Sequence, residues 1–250
     1  MARDHVLEEL WKTSPQTTRV FDPAQIVHLP LAARRYFLHA LAPGARLAHT
    51  AHLRMHGTIR LGNEWQVFRA EQVLSWDRGF VWKARVGGAL PILGSDRWVD
   101  GEGSMKWRLL GIVPVMTAEG PDISRSAAGR LQLESMWLPA VLLDPYVEWM
   151  AGDDDTHTEL VVHAHGEESH IDLEIDDRGR PLHGVIGRWG NPEGGEFHDA
   201  AFGSIVEDEG TFDGITVPTK IRAGWFFGTD RFERPGGEFF RAVIDHVDFR

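Results

Sequence analysis

Hydrophobic positions recur with two different periods along this chain, and the change of period divides it. Over residues 4–12, Val6, Leu7, Leu10 and Trp11 fall on one side of a helix, which Ser14-Pro15 ends. Asp22 and Pro23 have the residue types of an N-cap and a first helical position. A second helix is predicted from Leu29-Pro30 to Leu41, with Ala33, Tyr36, Phe37 and Ala40 as its apolar stripe. Pro43-Gly44 closes it. From Leu47 the period becomes two. Leu47, Ala51, Leu53, Met55 and Ile59 alternate with polar residues, the pattern of a half-buried antiparallel strand.

The same rhythm of strand, short turn and strand continues for most of the chain. Strands are predicted over 65–76, 80–86, 97–99 and 104–110, separated by Gly- and Asp-rich turns. The strongest helical pattern follows, over 125–143, with N-cap candidates between Asp122 and Ser126 and a stop at Asp144-Pro145. Pro139 lacks the N–H that would bond four residues back, so it is expected to kink or split this helix. A second set of strands is predicted over 157–165, 170–175, 181–189, 202–207, 216–227 and 238–248, after residues 147–149 run into an acidic loop. Two β meanders flanking one helix, with no linker between them, predict an α+β, mostly β fold. One strongly curved antiparallel sheet wraps a central helix. The expected organisation is an N-terminal helical segment, residues 1–45, packed on a single sheet domain, residues 46–250.

Composition changes this picture in two ways. Ten tryptophans and thirteen phenylalanines stand against two tyrosines. Rings of this size bury on the order of 150–250 Å² each, so they fill an aromatic core or line a broad cavity. The net charge of −11, with lysine only at 12, 83, 106 and 220, argues against a nucleic-acid partner. Cysteine is absent, which removes disulfide, thiolate and zinc–thiolate chemistry. No apolar run approaches the ~20 residues of a membrane-spanning helix. The charged first dozen residues lack an apolar signal core, and a cytoplasmic protein is expected.

Candidate chemistry centres on the mid-chain helix. Arg130, Glu134 and Trp137 lie at i, i+4 and i+7, and so share a face. Glu134 between an arginine and an indole is a structural ion pair or a pocket carboxylate. His163 and His165 stand at a two-ligand spacing, but no metal motif completes them, and neither a metal nor a cofactor is expected. Gly101-Glu-Gly103 lacks the rest of a dinucleotide fingerprint and reads as a turn.

A larger pattern also runs through the chain. Leu29-Pro30, Arg35-Tyr36, Gly57, Phe68-x-Ala70-x-Gln72, Gly79-Phe80-x-Trp82-x-Ala84 and Asp100-Gly-x-Gly103 occur in that order. Arg130-x-x-x-Glu134-x-x-Trp137-x-Pro139-x-x-Leu142 follows, and then Arg188, Gly210 and Pro218. In this order the residues resemble a bacterial family catalogued as a domain of unknown function, with Leu131 where an aromatic is more usual. The resemblance implies no activity. It implies a shape similar to the lipoprotein-carrier half-barrels, a fold group with members that bind acyl chains.

Three functions follow as expectations. The first is a binder of a hydrophobic or aromatic small molecule, with Phe80, Trp82, Trp98, Trp107 and Trp137 lining its site and Arg130 and Glu134 as polar contacts. The second is an enzyme using Glu134 as acid or base, with Arg188 or Arg130 on an anionic substrate group. The third is a structural or interaction protein with a filled core.

Overall fold

The computed structural model describes residues 5–250. Asp4, at the start of the first predicted helix, lies outside them. Helix α1 is His5–Thr13 and α2 is Leu31–Ala40. Between them Pro23–Ile26 forms a short 3-10 turn. Asp22 caps it by accepting from the Ala24 N–H at 2.9 Å, while the Asp22 N–H donates to Gln25 Oε1 at 3.1 Å, a reciprocal cap.

The first meander is β1 (Thr50–Leu61), β2 (Glu64–Ser75), β3 (Gly79–Val86), β4 (Ile92–Val99), β5 (Glu102–Leu109) and β6 (Val113–Glu119). Helix α3 (Pro121–Leu133) follows. The second meander is β7 (Val147–Ala151), β8 (His157–Ala164), β9 (Glu167–Ile175), β10 (Pro181–Gly190), β11 (His198–Phe212), β12 (Ile215–Trp225) and β13 (Glu238–Phe249). Among the described residues these thirteen strands form one antiparallel sheet. Its spatial order is β6-β5-β4-β3-β2-β1-β13-β12-β11-β10-β9-β8-β7. Within each meander every strand lies beside its sequence neighbours; β1 pairs with β13 to join the two, and β6 and β7 form the two edges. No helix among the described residues is long and apolar enough to cross a membrane.

Alternation assigns the two faces of the sheet. On β2 and β3, Phe68, Leu74, Phe80, Trp82 and Ala84 enter the main core. Val73 and Val81 point the other way and form a small second cluster with Leu7 and Leu10 of α1. Helix α1 therefore covers the outer face and α3 the inner one. Helix α2 packs on β7, β8 and β12, where Phe37 meets Trp149 edge-on at 5.1 Å. Helix α3 touches β3 to β6 on one side and β9 and β10 on the other.

Several predicted elements are redrawn. The single helix expected over 125–143 is α3 followed by two 3-10 turns, Glu134–Trp137 and Pro139–Leu143. Pro139 explains the split. It has no N–H for the Ser135 carbonyl, which instead takes the Leu138 N–H at 2.7 Å in a tighter turn. Helix α3 begins at Pro121, earlier than predicted, because Pro at the first position needs no N–H partner. Strands β6 and β7 and most of β4 lie outside the predicted strands. β6 is exposed along most of its length, so no burial imposes a period, and β4 turns Asp96 inward. His163 and His165 do not share a strand face. His165 occupies the β8–β9 turn at φ 61°, whereas His163 is exposed beside Glu148 and Glu168.

Candidate functional site

Helix α3 can lie close to the sheet because glycines clear its path. A Cβ on Gly103 of β5 would sit 2.7 Å from the Ser124 Cα, and the Gly103 N–H donates to Ser124 Oγ at 2.8 Å. Farther along α3, Gly129 leaves room for the Arg188 side chain rising from β10. Buried Gln132 ties the helix to the β8–β9 turn. Its Nε2 donates to the Ala164 carbonyl at 3.0 Å, and its Oε1 accepts from Ser169 Oγ. The following 3-10 turn is pinned to β12, where Trp137 Nε1 donates to the Pro218 carbonyl at 2.9 Å.

This docking leaves a cavity of about 120 Å³ between the end of α3 and the inner face of the sheet. Leu133, Met136 and Trp137 wall it on the helix side, and Ile59 and Trp82 come from the first meander. Phe202, Ile221, Ala223, Phe239 and Phe240 come from the second. The polar side chains in the lining are Arg130, Glu134, Arg188 and Ser204.

The charged groups are arranged unequally. Arg130 Nε donates to Glu134 Oε1 at 2.7 Å, and its Nη1 lies 3.6 Å from Asp96 Oδ2. The guanidinium covers the Phe80 ring at 4.5 Å, a cation–π contact. Glu134 is held on both oxygens, because Oε2 accepts from Gln72 Nε2 at 2.6 Å. Asp96 also accepts from Trp107 Nε1 at 2.7 Å. Burial holds the Asp96 carboxyl above its usual pKa, against the opposing pull of Arg130 and that hydrogen bond. One arginine thus serves two carboxylates. Arg188 makes no ion pair among the described residues. Its Nε donates to the Ser126 carbonyl at 3.0 Å, and its Nη2 lies 3.4 Å from Ser126 Oγ. The guanidinium stacks over Phe202 at 4.7 Å and Trp225 at 5.2 Å. Burial, with Arg130 nearby, pushes the Arg188 guanidinium down to about 9, so it keeps its charge at neutral pH.

Of the residues singled out from sequence, the cavity gathers Trp82, Arg130, Glu134, Trp137 and Arg188. Phe80, Trp98 and Trp107 do not line it. Phe80 lies beneath Arg130, Trp107 braces Asp96, and Trp98 packs edge-on against His165 at 5.0 Å. Apart from Arg188, sequence reasoning missed the second-meander wall. Phe202, Phe239 and Phe240 lie in alternating strands there, but the chain carries no signal that β11 to β13 face the end of α3. Among the described residues no group of three or more His, Cys, Asp or Glu side chains could hold a metal ion.

No curated protein matches the chain. Three solved structures are similar in shape. A LolA-superfamily protein from Nitrosomonas europaea has TM-score 0.42 and 10% identity, covering 88% of this chain and 90% of that one. A domain assigned to outer-membrane lipoprotein sorting from Vibrio parahaemolyticus has TM-score 0.43 and 8% identity, covering 92% and 94%. A DUF1329 family protein from Desulfovibrio piger has TM-score 0.41 and 11% identity, covering 92% and 94%. The model of a family of unknown function, DUF6920, matches residues 27–249, and the chain belongs to that family.

Proposed function

We propose that the inner face of the sheet, curled around α3, binds a small hydrophobic or aromatic molecule at the end of that helix. One observation carries the reading. Well-packed cores leave few spaces larger than a water, yet here a partly open cavity of about 120 Å³, walled mainly by aromatic and aliphatic side chains, enters the core. An apolar cavity of roughly 150 Å³ takes up benzene, so the space suits a single ring or the end of an apolar chain. Glu134 enters this reading as a positioning group. Arg130 and Gln72 occupy its two oxygens, which favours holding Arg130 in place over acid–base work.

Filling the space tests the proposal. In Ala223→Phe the added ring takes the volume a ligand would use. Toluene and indole, followed by ligand-observed NMR, are expected to bind the wild-type protein. They are expected to lose that binding in Ala223→Phe while the thermal midpoint stays within a few degrees. Binding that persists unchanged in the filled variant lies elsewhere and overturns the proposal, as does no binding to the wild type.

A further inference from the structure

Resting on that reading of the cavity, we infer that its ligand is an acid: a ring-sized apolar body bearing one carboxylate, seated against Arg188.

Charge pairing is the first argument. Asp96 and Glu134 both pair directly with Arg130; they lie near enough to favour the charge on Arg188, but neither forms an ion pair with it. Arg188 is a cation within a mostly apolar lining, with Ser126 as its hydrogen-bonding partner. Of the five N–H donors of a guanidinium, those on Nη1 have no acceptor among the described residues. A half-buried cation in an apolar lining, held by no direct ion pair, costs stability unless something it binds compensates it.

The second argument is independent and concerns donors. Trp82 lines the same cavity, is 2% exposed, and has a buried Nε1 with no hydrogen-bond partner. Buried indole N–H groups usually find an acceptor. Trp82 Nε1 is thus a buried donor without an acceptor and Arg188 Nη1 a free one, whereas both oxygens of Glu134 already accept a hydrogen bond. What the site lacks is an acceptor, and a negatively charged one.

The same inventory limits the ligand. Two arginines face two carboxylates, and Arg188 is the arginine that no carboxylate reaches at ion-pair distance. Asp96 and Glu134 oppose a second negative charge, which favours a monoanionic carboxylate over a phosphate dianion. The cavity volume limits the enclosed apolar part to about one ring or a short chain. Glu134 then positions Arg130, and Arg188 is the specificity-determining residue.

Calorimetry with benzoate against benzamide, and hexanoate against hexanamide, tests this in the wild-type protein without any substitution. Each acid is expected to bind about tenfold tighter than its amide, or better, the scale of a charge-assisted hydrogen bond in a desolvated site. In Arg188→Gln that preference is expected to collapse. Arg188→Lys, which keeps the charge but loses the planar fork, should retain part of it. An arginine that only braces α3 predicts no difference between acid and amide. Equal affinities in the wild type, or a tighter amide, therefore overturn the inference. The two failures are separable. If toluene binding is abolished by Ala223→Phe but acids show no advantage, the cavity reading stands and the acid falls. If no probe binds, both fall.

Discussion

His165 sits in the β8–β9 turn with its ring 4.7 Å from Trp76 and 5.0 Å from Trp98, and its Nε2 is buried without a partner. Burial pushes the imidazole down to about 4 from the ordinary 6.5. Above pH 6.5 the group is neutral in both folded and unfolded chains and contributes no pH dependence. Between 6.5 and 4 the unfolded chain takes up the proton first, so stability falls as pH falls through that window. Below 4 the loss is complete, at about 3 kcal/mol as an upper bound. Glu238, held down to about 2 by Arg222 and Arg241 against the cost of burial, loses its contribution only between 4.5 and 2. Urea midpoints at pH 7 and pH 5 test this by difference between variant and wild type, because half-buried His52 is shifted down as well and acts in the same window. His165→Phe should lose less stability between those two values than the wild type does. An equal loss would place the acid sensitivity elsewhere. No spacing rule points to His165 as a buried base, because its environment comes from the β2–β3 turn and β4, far away in the chain.

At the scale of elements, α3 is the part that the sequence reading located and then misjudged in extent. The i, i+4 pair of Arg130 and Glu134 was legible because it lies within one helical stretch, and it forms at 2.7 Å. Trp137, at i+7, falls beyond the break imposed by Pro139, and the Pro218 carbonyl of β12 fixes its orientation. How closely α3 approaches the sheet is set by Gly103. A valine there would press its Cβ into the backbone at Ser124 and Ile123, both less than 3.0 Å away. Gly103→Val should destabilise the protein by about 1–3 kcal/mol, the usual cost of overpacking. The thermal midpoint would then drop by several degrees, and small aromatic probes would bind more weakly because α3 carries Arg130. An unchanged midpoint in Gly103→Val would show that α3 does not dock as described.

At the scale of the molecule, the β1–β13 seam determines whether the two meanders act as one body. Its partners are far apart in sequence, with Ala51 opposite Phe249 and Ile59 opposite Phe240. Such pairings carry a large loop-closure cost and are repaid only when the whole sheet forms. Gly57 lies in this seam, and a Cβ there would come within 1.9 Å of the Arg241 carbonyl oxygen. Gly57→Val should therefore disturb both halves together. Near-UV circular dichroism and tryptophan fluorescence are expected to lose cooperativity in step, with several kcal/mol of stability gone. Loss confined to one half would mean that the meanders fold independently.

The sequence by itself determined the β-rich class, the position of the one helix between two meanders, and the Arg130–Glu134 pair. Each depends on contacts between near neighbours, which alternation, turn chemistry and helical spacing encode directly. Only the tertiary structure decided the rest. It brought Arg188 of β10 and Phe202, Phe239 and Phe240 of β11 and β13 to the end of α3. It moved Phe80, Trp98 and Trp107 away from the cavity and left Arg188 without a direct ion pair among the described residues. Those outcomes follow from how the sheet curves and which strands meet across it. They are set by summed twist and long-range packing, which no local pattern in the chain records.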